Sequence, residues 1–163
     1  MPTKNALMRK LFAAVLATLG MAVFTVVGAT PAQAAYGCNG TLLQTYTVHP
    51  LSGSWVTYVD VYLENGTTNC LVNRTGGASY NQANGMGIVV SKTAANVPAA
   101  DSGSTICSGM TTATGRVGDC SASYRLYAGP VRIYAPGSCI HFTARAAFAV
   151  GTAAEKFVNK HCG

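Results

Sequence analysis

Charge is scarce in this chain: of 163 residues, five are acidic and eleven basic. The basic residues beyond the first ten positions, Arg74, Lys92, Arg116, Arg125, Arg132, Arg145, Lys156 and Lys160, stand singly and never form a run. A nucleic-acid partner requires clustered Lys and Arg to displace counterions, so none is expected. After residue 27 no stretch is long and apolar enough to span a bilayer, which excludes a later membrane anchor. There is no Gly-x-Ser-x-Gly elbow, and nothing in the chain calls for a cofactor.

The few chemistry-bearing groups do not assemble into a familiar catalytic pattern. Asp101-Ser102-Gly103-Ser104 has the form of an aspartic-protease turn. Those enzymes need two carboxylates sharing a proton, and this chain has one copy, which reads more naturally as a surface turn. Asp60 and Glu64, four residues apart on a strand, would be separated by about 13 Å, beyond the spacing that glycosidases use. Of the three histidines, His141 alone sits inside a strand-like run and is a candidate base, but no orienting acid can be named for it. Cys139-x-His141 and His161-Cys162 have the wrong spacings for known zinc sites. The chain is therefore expected to be non-catalytic and metal-free.

What the chain does have is six cysteines, Cys38, Cys70, Cys107, Cys120, Cys139 and Cys162, all downstream of an export signal. Lys4, Arg9 and Lys10 precede the uncharged run 11–27, Pro31 breaks it, and Ala32-Gln33-Ala34 supplies small residues for cleavage. Residues 1–34 are thus expected to be a secretory signal and 35–163 a single extracellular domain. Losing the signal leaves eight basic residues against five acids, a net charge of only +3. An even cysteine count in a secreted chain reads as three disulfides. Fifteen pairings are open; the working assignment is Cys38 with Cys70, Cys107 with Cys120, and Cys139 with Cys162. The middle bridge would be worth about 3 kcal/mol in the chain-entropy model.

The clearest periodicity runs from Ser54 to Glu64, aromatic and β-branched with a two-residue repeat. Trp55, Thr57, Val59, Val61 and Leu63 share one face; Val56, Tyr58, Asp60, Tyr62 and Glu64 share the other. Asn65-Gly66 then signals a hairpin, with a returning strand over 69–73. Further strands are expected over 41–48, 87–93, 123–127, 131–135 and 139–145, with Gly129-Pro130 and Pro136-Gly137 as breaks. Residues 94–118, rich in Ala, Ser, Thr and Gly, read as a long loop. Thr152-Ala-Ala-Glu155 resembles a helix capping box, although a final strand is preferred. Together these features specify an all-β antiparallel sandwich or barrel-like domain stapled by disulfides. Tyr58, Asp60, Tyr62 and Glu64 would then form a solvated stripe able to stack on sugar rings, as in a carbohydrate or cell-wall binding module. Asn65-Gly-Thr67 and Asn73-Arg-Thr75 match the glycosylation pattern and would stay bare in a bacterial protein.

Tyr36-Gly-Cys38, Asn65-Gly-Thr-Thr-Asn69-Cys70-Leu71-Val72, Tyr127-Ala-Gly-Pro-Val131, Ala135-Pro-Gly-Ser-Cys139-Ile140 and His161-Cys162-Gly163 resemble the small spore-associated proteins of filamentous actinobacteria. The resemblance implies a secreted protein, found with spores or aerial growth, with spore or cell-wall components as partners and no catalytic residue to carry over. This chain departs from it in having His141-Phe142 where a Trp follows the later cysteine, and in residues 94–118. The resemblance marks Cys38, Cys70, Cys139 and Cys162 as a shared frame and Cys107 and Cys120 as a local staple.

Overall fold

The β-branched runs become strands in a computed structural model of the chain, which describes residues 36–101 and 115–162. In order these are β1 (Thr41–Val48), β2 (Pro50–Ser52), β3 (Thr57–Glu64), β4 (Thr68–Arg74), β5 (Ala83–Ser91), β6 (Arg116–Ser121), β7 (Tyr127–Tyr134), β8 (Ile140–Phe148) and β9 (Thr152–Lys160). They form two antiparallel sheets. Sheet A has the order β1-β3-β4-β7 and sheet B the order β2-β9-β8-β5-β6. The all-β, disulfide-stapled reading therefore holds, and no α-helix occurs among the described residues. The expected signal, residues 1–34, lies outside them, as does Cys107.

The hairpin at Asn65-Gly66 forms as its sequence requires. Both residues have positive φ, 51° and 73°, the combination that matches the twist of paired strands, and the Thr67 N–H donates to the Glu64 carbonyl. It sets Val59 opposite Asn73, and Val61 opposite Leu71. The same alternation sends Val59, Val61 and Leu71 inward to meet Ile88 and Val90 of β5, Phe142 and Ala144 of β8, and Phe157 of β9. Phe142 is fully buried and stacks on Phe157 at 4.8 Å. Trp55, on the expected inner face, stacks on Phe148 at 5.9 Å.

Two local expectations need correction. The runs 123–127 and 131–135 are not two strands: a single β7 crosses Gly129-Pro130, and 123–126 forms the turn before it. The register slips between Leu71 and Asn73, which absorbs the proline without ending the strand. Gly129 sits at φ 112°, and a Cβ there would come within 2.7 Å of the Leu71 carbonyl oxygen, so only glycine passes. The loop expected over 94–118 ends early, because Arg116–Ser121 pairs with β5 as β6. At Thr152 the preferred final strand forms: the capping-box residues lie in β9, whose backbone is taken up by β8 and β2.

Two disulfides sit where the working assignment put them, Cys38–Cys70 and Cys139–Cys162. Each ties one end of the described domain down. Cys38 lies two residues before Gly40 and three before β1, and its partner is in the middle of β4. Cys162 follows β9 and is held to Cys139 at the entrance of β8. Cys120 is disulfide-bonded as well.

Candidate functional site

The stripe Tyr58, Asp60, Tyr62 and Glu64 does lie on the outer face of sheet A, but it is not the solvated surface the two-residue period implies. Asp60, Tyr62 and Glu64 are 4%, 4% and 7% exposed; Tyr58 alone is half-buried. The cover comes from elsewhere in the chain. Residues Tyr36 to Asn39 cross this face as a strap fastened by Cys38–Cys70. The buried cystine packs with Tyr62 and Val72 in a small apolar cluster of its own, and the Tyr36 ring lies 4.9 Å from that of Tyr127. Gly40 lets the strap turn into β1, because a Cβ there would overlap the Leu63 carbonyl.

Two arginines neutralise the acids beneath. Arg74 Nε donates to Asp60 Oδ2 and its Nη2 to Oδ1 at 3.2 Å; Thr45 Oγ1 donates to the same carboxylate at 2.6 Å. Arg132 Nε donates to Glu64 Oε2 at 2.8 Å and Nη2 to Oε1 at 3.1 Å, while the Asn39 amide of the strap donates to Oε1 at 2.6 Å. The Arg132 guanidinium also reaches the Gly37 carbonyl, holding strap and strand together. The hydrogen bond from Arg132, aided by the Asn39 amide, holds Glu64 below the usual carboxylate range against the opposing effect of burial. Burial and the neighbouring Asp60 push the Tyr62 phenol up. Arg74 rests 5.1 Å from the Tyr58 ring centroid, so the most accessible of the four side chains already carries a cation on its face.

Cys38, Glu64 and Cys70 bring their ligand atoms within 4.8 Å of one another. The sulfurs are joined and the carboxylate is bidentate to Arg132, which leaves neither thiolates nor a free carboxylate to coordinate a metal. The histidines are equally engaged. His49 Nδ1 is 2.6 Å from Glu155 Oε2. His141, the candidate base, is 6% exposed, and its Nδ1 accepts the Asn159 N–H at 3.1 Å. His161 Nε2 is 3.1 Å from Tyr46 Oη; burial holds its pKa below the usual value. Asp119 accepts from the Tyr124 hydroxyl and the Gly129 amide. Asp101 is exposed, and residues 102–104 of its turn lie outside the described ones.

Sequence reasoning missed a second feature, on the outer face of sheet B. A groove of 330 Å³ is lined by Gly85, Gly87, Cys120, Ser121, Arg145 and Ala147 among others, a size at the low end of small-molecule sites. It exists because β5 and β8 present glycine and alanine there instead of long side chains. From inside the sandwich, Asn73 Nδ2 donates to the carbonyls of Gly87 at 3.1 Å and Arg145 at 3.0 Å. A fully buried amide thus holds the groove floor from beneath. This placement also keeps Asn73 of the glycosylation pattern out of reach, since its nitrogen faces the opposite sheet. The Arg145 guanidinium makes no hydrogen bond or ion pair with the described residues, whereas Asp60, Glu64, Asp119 and Glu155 are all engaged elsewhere.

Comparison with protein-family models, with curated proteins and with solved structures finds no match for the chain. No helix among the described residues is long and apolar enough to cross a membrane.

Proposed function

We propose that this is a secreted, non-catalytic protein of the cell or spore surface, built to persist there. The observation that carries this reading is the fastening of both ends of the domain by disulfides, with the N-terminal strap further locked by Arg132 and Glu64. Frayed termini are where proteolysis begins, and both ends of the described domain are fastened. The four frame cysteines are also those placed by the resemblance to spore-associated proteins, which supports the spore as the surface. The test is to fractionate a producing culture and follow the protein by immunoblot. Recovery with spores or hyphae, in a form resistant to aminopeptidase until reduced, is the expected result; recovery only from spent medium would overturn it.

A second reading, a binding module for cell-wall material, moves from the tyrosine stripe to the sheet B groove. The strap denies sugars access to Tyr62, while Arg145 leaves a guanidinium without a carboxylate partner at a concave, glycine-floored surface. Carboxylate-bearing wall fragments suit that chemistry. Binding to peptidoglycan that is lost in Arg145→Ala and kept in Tyr58→Ala supports this reading; the reverse pattern sinks it.

A further inference from the structure

A β-sandwich has four sheet edges, each a row of unpaired backbone groups that could template another strand, and native proteins usually blunt them with prolines, charges or short strands. Three of the edges here are blunted. β2 is three residues long and begins with Pro50; β6 carries Arg116 and Asp119; β7 contains Pro130, which has no N–H to donate, and Arg132. β1 is different. Its eight residues, Thr-Leu-Leu-Gln-Thr-Tyr-Thr-Val, include no charge and no proline, and the first five are all exposed. A bulge falls between Leu42 and Gln44, after which the strand runs regularly against β3 to Val48.

We propose that β1 pairs with β1 of a second copy of this chain, antiparallel about a twofold axis, joining two four-stranded sheets into one of eight strands. The register on β3 puts Thr45 and Thr47 on the outer face beside Asp60 and Tyr58, and Gln44 and Tyr46 on the inner face beside Val61 and Val59. An axis at Thr45 therefore sets Thr45 against Thr45 of the second copy and Gln44 against Tyr46. Counting the bulge, Leu42, an outer-face residue opposite Tyr62, meets Thr47. Every side chain meets one on its own face, as antiparallel pairing demands. No like charges come opposite each other.

The lack of charge also identifies the occupant. A foreign strand would need complementary charges to be selected, and β1 carries none of its own, whereas a copy of itself is matched by symmetry. The pairing covers Leu42 and Leu43, which are 45% and 41% exposed. It consumes both β1 strands and leaves the proline-bearing β7 at each end of the joined sheet, so association closes at a dimer.

Sedimentation velocity of the processed, disulfide-intact protein across a wide concentration range tests this. A monomer–dimer equilibrium is expected, with Leu42→Lys and Thr47→Glu each weakening it at least tenfold. Mixing those two variants should restore association, because the ammonium introduced at position 42 of one copy then faces the carboxylate introduced at position 47 of the other. Concentration-dependent protection of β1 amides in hydrogen exchange gives a readout that needs no substitution. A wild type that stays monomeric with unprotected β1 amides, or a dimer indifferent to Leu42→Lys, would overturn the proposal.

Discussion

The two outer faces of the sandwich are covered by different chemistry. Over sheet A the cover is ionic and covalent: two arginine–carboxylate pairs, a cystine and the strap that it fastens. Over sheet B, among the described residues, it is a short segment, 94–98, held through its carbonyls. Lys156 Nζ donates to Ala94 and Val97, Thr143 Oγ1 to Pro98, and Arg116 to Asn96, with Val97 2% exposed beneath. None of these bonds involves a carboxylate. Long paired side chains cover Asp60, Tyr62 and Glu64 on sheet A's face, whereas the glycines and alanines of sheet B leave a groove. The concave surface is therefore on the face whose sequence is least conspicuous.

The contrast can be broken most forcefully at the strap. Replacing Cys38 and Cys70 together by serine removes a bridge across 32 residues of sequence separation. In the chain-entropy model this costs about 3 to 4 kcal/mol, measurable by denaturant unfolding, and amide exchange should show Tyr62 and Val72 opening while sheet B stays protected. An equal loss of protection in both sheets would mean that the two covers are not independent.

Next comes Glu64→Gln, which leaves Arg132 facing a neutral amide. Because Arg132 is 42% exposed on its side chain and keeps access to water, the cost should be about 1 to 2 kcal/mol, below that of breaking a fully buried pair. The same pair gives sheet A a pH dependence. Glu64 is held below its ordinary range, so its contribution is complete above about pH 4.3 and is lost as the pH falls through the lowered value. Acidification should accelerate exchange of the Asn39 amide well before the Ala94–Pro98 contacts loosen. His161, whose pKa is depressed by burial, adds a pH dependence of the same sign at higher pH, its stability present above its ordinary value and lost as the pH falls.

On sheet B, Thr143→Val removes the donor to Pro98 and should cost about 1 kcal/mol, seen as a small shift in thermal midpoint and faster exchange near Val97. The smallest effect is expected at Tyr58→Ala. That substitution loses the contact with Arg74 and about 0.5 to 1 kcal/mol, and a cost several times larger would show that Tyr58 anchors the face in a way its half-exposure does not explain.

Much of the frame was legible in the residues. The alternation through Val59 and Val61, the Asn65-Gly66 turn and the β-branched residues of β1 and of Ile88, Val89 and Val90 in β5 are local signals, and local signals survive folding. The strand through Gly129-Pro130 was not legible, because proline breaks a strand except at a bulge on an edge, and edge position is a property of the sheet. The buried role of Asn73 was not legible either, because nothing in Asn-Arg-Thr says that the neighbouring sheet supplies two carbonyls.

By itself the sequence determined which segments extend, which face of β3 turns inward and which cysteines are present to be joined. Only the tertiary structure decided what lies over the other face. A two-residue period separates the sides of a strand without specifying their surroundings, and the groups that bury Asp60 and Glu64 come from far along the chain: the strap at 36–39 and Arg132, 68 residues beyond Glu64. Such long-range contacts leave no local mark, so a stripe of tyrosines and acids that reads as an open surface is a wall closed by a cystine and two arginine–carboxylate pairs.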